Sequence, residues 1–219
     1  MNTAIILAAG TGSRMESDVP KQFININNKM IIEYSINAFN QNKNIDQVIV
    51  VCNENWTSII KEKYNNIKVV DGGKNRTESS YIGLLECDPQ CINVLIHDAS
   101  RPFISQSIIN NGLNYLQKFD SAIPVIECDD SLINYQTLEY LQRNKTKIIQ
   151  TPQAFNYKQI VNSYLTIEKN NDINNESLTD NLSVVLKCNE NVNVKLFAGE
   201  KTNFKITKEE DLIRAKLLI

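Results

Sequence analysis

An α/β fold, with a mostly parallel central sheet and helices on both faces, is what this sequence predicts, and three observations predict it. The apolar stretches at residues 4–7, 46–52 and 93–96 lack period-two alternation, the pattern of strands covered on both faces. Between them lie segments at helical spacing, long enough to return the chain for parallel pairing. No repeat, low-complexity stretch or interdomain linker interrupts the 219 residues, a length that fits one domain with a substantial core.

The elements follow in order. The strand at 4–7 breaks into Ala8-Ala9-Gly10-Thr11-Gly12-Ser13, where every side chain is small or absent, and then come Arg14 and, after Pro20, Lys21. Apolar spacing predicts a helix over 31–39, a strand over 46–52, a helix over 56–64 and a short strand over 67–70. Asp71-Gly72-Gly73-Lys74-Asn75 is a loop, and Arg76 opens a helix over 76–85. The strand at 93–96 ends in His97-Asp98-Ala99-Ser100-Arg101-Pro102. Ser105 opens a helix over 104–119, and a strand at 122–126 leads into Cys128-Asp129-Asp130-Ser131. Residues 132–149 alternate apolar and polar and end in Gln150-Thr151-Pro152-Gln153. A helix over 157–168, a polar loop, a helix over 181–186 behind Thr179-Asp180, a strand over 192–197 and a closing helix over 211–218 with a basic face complete the chain.

Bulk properties exclude several classes. A formal net charge of −2 gives no electrostatic reason to expect nucleic acid or an anionic membrane as partner. No apolar run approaches the roughly 20 residues needed to span a bilayer. The chain enters its first strand without a charged segment and cleavage site, so no secretory leader is expected. The five cysteines are odd in number and scattered, which fits reduced thiols in a cytoplasmic protein better than a disulfide framework or a zinc site. His97 is the only histidine, so multi-histidine metal sites are excluded. It is expected to pack or hydrogen-bond locally and not to act as a base.

The chemistry concentrates at strand ends. The small-residue loop lets backbone approach a ligand closely, and exposed N–H groups with flanking cations would suit a polyphosphate. A βα turn with surface charges is the alternative. Neither GxxxxGK[ST] nor GxGxxG is present, since Gly10 and Gly12 lack the required followers. Asp98 falls where ligands sit in open α/β sheets, and there it could hold Mg2+ or a ribose hydroxyl, or pair with Arg101 for structure alone. A turn opening a helix explains Gly72 and Gly73 but leaves Arg76 and Ser79 unaccounted for.

The opening Leu7-Ala8-Ala9-Gly10-Thr11-Gly12-Ser13-Arg14-Met15 followed by Pro20-Lys21-Gln22-Phe23 resembles that of the CTP-dependent alditol-phosphate cytidylyltransferases, and within them the 2-C-methyl-D-erythritol 4-phosphate branch. Four further blocks match in order: Gly72-Gly73-x-x-Arg76-x-x-Ser79; His97 to Pro102, with Ser100 for the family's alanine; Thr151-Pro152-Gln153, with Arg143 eight residues before Thr151; and Asn203-Phe204-Lys205-Ile206-Thr207 before Asp211-Leu212. Ser131 stands where that branch usually has threonine. The resemblance implies a single Rossmann-like nucleotidyltransferase domain over residues 1–219, a protruding β-arm at about 132–149 that embraces a partner in a homodimer, and Mg2+ as cofactor. It assigns Arg14 and Lys21 to catalysis. Leu7, Ala8, Ala9, Gly10, Gly73, Ser79 and Asp98 fall to CTP binding, with Asp98 positioning Mg2+ directly or indirectly. Arg101, Ser131, Arg143, Thr151, Thr179 and Lys205 fall to the acceptor phosphate and polyol. A phosphate monoester is largely dianionic near neutral pH and needs no general base to attack the α-phosphorus of CTP, which agrees with the absence of a histidine or carboxylate dyad. A ribitol 5-phosphate or other alditol-phosphate cytidylyltransferase of capsule or wall polymer synthesis is the alternative within the family; Ala8-Ala9-Gly10 and Ala99-Ser100 stand closer to the methylerythritol branch. A catalytically dead nucleotide-binding regulator is the alternative of another class. Its mark would be loss of the catalytic cations, and Arg14, Lys21, Arg143 and Lys205 are all present.

Overall fold

The computed structural model describes residues 1–10 and 19–218. Strands β1 (Asn2–Ala8), β4 (Gln47–Cys52), β5 (Lys68–Asp71) and β6 (Asn93–Asp98) form the parallel half of the main sheet, in the order β6-β1-β4-β5. Their uninterrupted apolar runs follow from cover on both sides. Ile6 and Val50 face a layer containing α1 (Ile31–Asn40), α2 (Glu54–Lys63) and α4 (Gln106–Tyr115). Ile5, Ile49 and Val51 face α3 (Arg76–Leu85), α5 (Tyr157–Lys169) and α6 (Asn181–Cys188). Both layers are largely apolar against the strands, with Thr3 of β1 and His97 of β6 as buried polar exceptions. The predicted mostly parallel sheet with helices on both faces is therefore what the chain forms.

The other half of the sheet departs from that simplicity. β11 (Gln153–Asn156) lies antiparallel between β6 and β7 (Ser121–Glu127). β10 (Lys147–Ile149) continues along the same edge of β7, with the register shifting across Gln150-Thr151-Pro152. β12 (Val194–Ala198) runs parallel along the opposite edge. Neither β10 nor β11 was expected as part of the main sheet. The helix predicted to run to residue 119 ends at Tyr115 and continues as turns, while its start is as expected, Ser105 Oγ accepting from the Ile108 N–H at 3.2 Å.

Two further pairs complete the strands: β2 (Asn25–Ile26) with β3 (Lys29–Met30), and β8 (Leu132–Ile133) with β9 (Tyr140–Leu141). The second is a hairpin separate from the main sheet, followed by a 3-10 turn at Arg143–Lys145. It carries exposed Tyr135, Leu138 and Tyr140 and falls within the arm expected over 132–149, whose last residues, 147–149, instead join the main sheet as β10. The closing helix α7 (Glu209–Leu218) packs Leu212 and Ala215 with Ile26, Ile31 and Ile206 in a small cluster of its own.

Candidate active site

Register brings the carboxyl ends of the parallel strands level: Leu7 lies opposite Asp98, Ala8 opposite Cys52, and Cys52 opposite Asp71. A cleft of about 470 Å3 opens above them. Its walls contain Leu7, Ala8, Ala9, Gly10, Lys21, Gly73, Ser79, Asp98 and Lys205, all singled out in the sequence, together with Gln22, Asn53, Lys74, Asn75, Arg76, Ala99 and Ser100, which were not assigned. Arg14 lies outside the described residues.

Each wall has a local cause. Pro20 precedes the 3-10 turn Lys21–Phe23, which buries Lys21 and Gln22. The Gln22 amide donates to the carbonyls of Ala8 and Gly10, each at 2.7 Å, so the small-residue loop is braced from below. On the facing wall Gly72 N–H donates to the Cys52 carbonyl at 2.8 Å. Gly73 N–H donates to Ser79 Oγ at 3.1 Å, and that hydroxyl donates to the Asn75 carbonyl at 2.8 Å. Asn75 caps α3, its Oδ1 accepting from the Glu78 N–H. Ser79 thus shapes the Gly73 turn and the first turn of the helix that carries Arg76.

At the centre stands Asp98, 7% exposed. Its Oδ1 lies 3.2 Å from both Nε and Nη2 of Arg76, and its Oδ2 accepts from Lys205 Nζ at 2.8 Å. Burial opposes ionisation, but the Arg76 and Lys205 cations outweigh it and hold the carboxyl well below the usual carboxylate range. Lys205 reaches this position because residues 200–206 are stitched to the β10–β11 junction. Gln150 Nε2 donates to the Glu200 carbonyl, Asn203 Nδ2 to the Thr151 carbonyl, and Ile206 N–H to the Ser100 carbonyl, each at 2.8 Å.

Of the residues assigned to the acceptor, Lys205 lines the cleft, whereas Arg101, Ser131, Arg143, Thr151 and Thr179 do not. Arg101 lies behind Asp98, with its Nη1 donating to the Asn203 carbonyl at 2.8 Å and its buried Nε without a partner among the described residues. Thr151 is 4% exposed, and its hydroxyl is engaged by the Asp98 N–H and by His97 Nδ1, each at 3.1 Å. Thr179 is exposed, beside Asp180, which caps α6. Ser131 and Arg143 are exposed on the arm, where Arg143 Nη1 donates to the Asp129 carbonyl at 2.9 Å. His97 is fully buried, and burial pushes its pKa down to about 4, so it carries no charge near neutral pH.

Among the described lining residues Asp98 is the one carboxylate, and no cluster of three or more His, Cys, Asp or Glu side chains is placed to hold a metal. That donor set fits Mg2+, which takes one or two carboxylates and fills its remaining positions with water and substrate phosphates.

A cleft over the carboxyl ends of the parallel strands, with a small-residue loop and a cation-flanked carboxylate, defines a nucleotide-binding α/β protein built to handle phosphates. The family model for IspD, 2-C-methyl-D-erythritol 4-phosphate cytidylyltransferase, matches residues 2–219. A protein of that name from Clostridium botulinum is 38% identical, with 100% of this chain and 97% of the relative covered. One from Clostridioides difficile is 36% identical, with 100% and 94% covered. Among solved structures, the 4-diphosphocytidyl-2C-methyl-D-erythritol synthase of Anaerococcus prevotii superposes with a TM-score of 0.85 at 31% identity, covering 99% of this chain and 97% of that one. The chain belongs to the 2-C-methyl-D-erythritol 4-phosphate cytidylyltransferase family, a family of nucleotidyltransferases.

Proposed function

We propose that the protein transfers CMP from CTP to 2-C-methyl-D-erythritol 4-phosphate and releases pyrophosphate, a step of isoprenoid precursor synthesis. The observation that carries this is Asp98 set between Arg76 and Lys205 at the mouth of β6, facing the loop of residues 7–10, in a chain matched by the family from end to end. A phosphate oxygen of the acceptor attacks the α-phosphorus. A new P–O bond forms there as the bond to the bridging oxygen of the leaving pyrophosphate breaks. The acceptor is already dianionic, so the protein supplies positioning and positive charge instead of a base.

In this reading Leu7, Ala8, Ala9 and Gly10 meet the nucleotide with backbone, and Gly73 and the Ser79-braced turn meet the base. Lys21, with Arg14, offsets charge growing on the α-phosphate and on pyrophosphate. Asp98 would hold Mg2+, which supplies charge neutralisation across the phosphates when bound. Lys205 turns from Asp98 to the acceptor phosphate, joined by Arg101 and Thr179 and by Ser131 and Arg143 of an arm that completes the site in a homodimer. The reading places the enzyme in the cytoplasm, with the CTP pool it uses.

The test is pyrophosphate release with CTP and Mg2+, comparing 2-C-methyl-D-erythritol 4-phosphate with ribitol 5-phosphate. The expected result is a kcat/KM preference for the first of at least about a hundredfold, or about 2.7 kcal/mol of transition-state discrimination. A reversed preference would move the protein to the ribitol branch, and tight CTP binding without turnover on either would mark a nucleotide-binding regulator.

A further inference from the structure

We propose that His97 is a positioning residue of the transfer site, its imidazole tying the backbone that carries Asp98 to the backbone that carries Arg101 through the hydroxyl of Thr151. The hydrogen bonds leave little freedom in how the protons are placed. His97 Nε2 lies 3.0 Å from the Arg101 carbonyl, which can only accept, so Nε2 bears the hydrogen. In an uncharged ring Nδ1 is then an acceptor, and Thr151 Oγ1 at 3.1 Å donates to it. That hydroxyl in turn accepts the Asp98 N–H at 3.1 Å. The Phe39 ring lies edge-on at 5.4 Å and limits rotation of the imidazole.

A second path closes the same circuit. The Asn203 side chain donates to the Thr151 carbonyl, and the Asn203 carbonyl accepts from the Arg101 guanidinium, each at 2.8 Å. Arg101 is therefore held twice, by its backbone on His97 and by its side chain on Asn203, and both holds converge on Thr151. His97 is fully buried and does not line the cleft, so it touches no ligand bound there. What it controls is the spacing between the carboxylate on the nucleotide side and the guanidinium on the acceptor side. A displacement of about 1 Å between such groups costs about a hundredfold in rate. The inference rests on the function proposed above only for what Asp98 and Arg101 act upon.

His97 is the only histidine, so the imidazole nitrogen signals of untagged, 15N-labelled protein belong to it alone. Long-range 1H–15N spectra at neutral pH are expected to show the Nε2–H tautomer. In steady-state assays His97→Gln, which keeps a donor toward Arg101 but not the Thr151 contact, is expected to lose at least tenfold in kcat/KM well below its melting temperature, with CTP affinity within threefold of wild type. Thr151→Val should lose at least tenfold, and Thr151→Ser, which restores the hydroxyl, should stay within threefold. The Nδ1–H tautomer or an imidazolium in the spectrum overturns the assignment, as do His97→Gln and Thr151→Val that keep kcat/KM within twofold. If a variant does not fold, the wild-type spectrum still decides the network. A wild-type protein with the Nε2–H tautomer and no turnover overturns the proposed function instead.

Discussion

Gln22 shows how much of this site depends on a side chain with no charge to offer. It is 4% exposed, and its amide satisfies two carbonyls of the nucleotide loop. Gln22→Met keeps the volume and removes both donors, leaving the buried Ala8 carbonyl unpaired at a cost of about 1–3 kcal/mol, while the exposed Gly10 carbonyl can turn to water. The expected outcome is CTP affinity weakened about tenfold and a melting temperature lower by a few degrees. Trp56, the only tryptophan, stacks on Phe23 next to Gln22 with ring centroids 4.2 Å apart, so its fluorescence can report the titration. A second residue-scale prediction concerns acid stability. Burial lowers the His97 pKa to about 4, against the partial support of the Arg101 carbonyl and of Asp98, with Arg101's own charge opposing protonation. The unfolded chain, with a histidine pKa of about 6.5, therefore takes up the proton first, and stability falls as pH falls from about 6.5 toward 4. Between pH 8 and pH 5 this amounts to about 2 kcal/mol. Denaturant unfolding of wild type and His97→Gln at both pH values should show a loss larger by that amount in wild type; equal losses would rule out a buried uncharged imidazole. At this scale the sequence was legible where charge or smallness mattered, as at Lys21, Asp98 and Gly73. It was not legible for Gln22, Asn75 and Arg76, whose roles are hydrogen bonds and an ion pair that exist only once distant segments meet.

Two glycines distinguish what an element does for the site from what it does for the core. A Cβ on Gly72 would lie 2.2 Å from the Ala9 Cβ, so the turn before α3 and the nucleotide loop touch only because that position is bare. A Cβ on Gly83 would meet side-chain atoms of Ile5 at 2.7 Å and Val51 at 2.9 Å, where α3 closes on β1 and β4. Overpacking of this kind costs about 1–3 kcal/mol in either place. The expected kinetic outcomes differ. Gly72→Ala should lower kcat/KM for CTP by about tenfold, because it pushes the two nucleotide walls apart. Gly83→Ala should lower the melting temperature while leaving kcat/KM of the folded enzyme within about twofold. Assays well below both melting temperatures separate the cases, and equal kinetic losses would mean that the Gly72 contact has no special place in CTP binding. The buried parallel strands were readable because cover on both faces demands unbroken apolar runs, as at Ile5, Ile6, Ile49 and Val50. β10 and β11 were not. They are short and split by Gln150-Thr151-Pro152, and their places, β11 between β7 and β6 and β10 on β7 alone, are set by pairing partners far away in the chain. Hydrophobic periodicity carries no record of such pairing.

For the molecule as a whole, the arm presents a problem that one chain does not solve. Tyr135, Leu138 and Tyr140 are 82%, 71% and 75% exposed, a cluster that favours cover by another surface. Ser131 and Arg143 sit on the same arm and do not line the cleft formed by residues 7–10, Asp98 and Lys205. A homodimer in which each arm reaches its neighbour's cleft would meet both needs, burying the apolar tip and delivering Arg143 to an acceptor phosphate. This arrangement makes a quantitative prediction. Lys21→Ala and Arg143→Ala should each lower kcat by a hundredfold or more, as loss of a preorganised stabilising group does. Unfolded together and refolded as an equal mixture, half of the dimers are mixed. If Arg143 serves the neighbouring cleft, each mixed dimer holds one site with both Lys21 and Arg143 intact and one site with neither. The mixture should then regain about a quarter of wild-type activity per chain. If Arg143 serves its own cleft, every site in the mixture lacks one of the two cations, and activity stays at the level of the single variants. Sedimentation of the wild-type chain should show a dimer, and Leu138→Asp in the arm should weaken it. A mixture that regains nothing while the dimer persists would assign Arg143 to the chain that carries it.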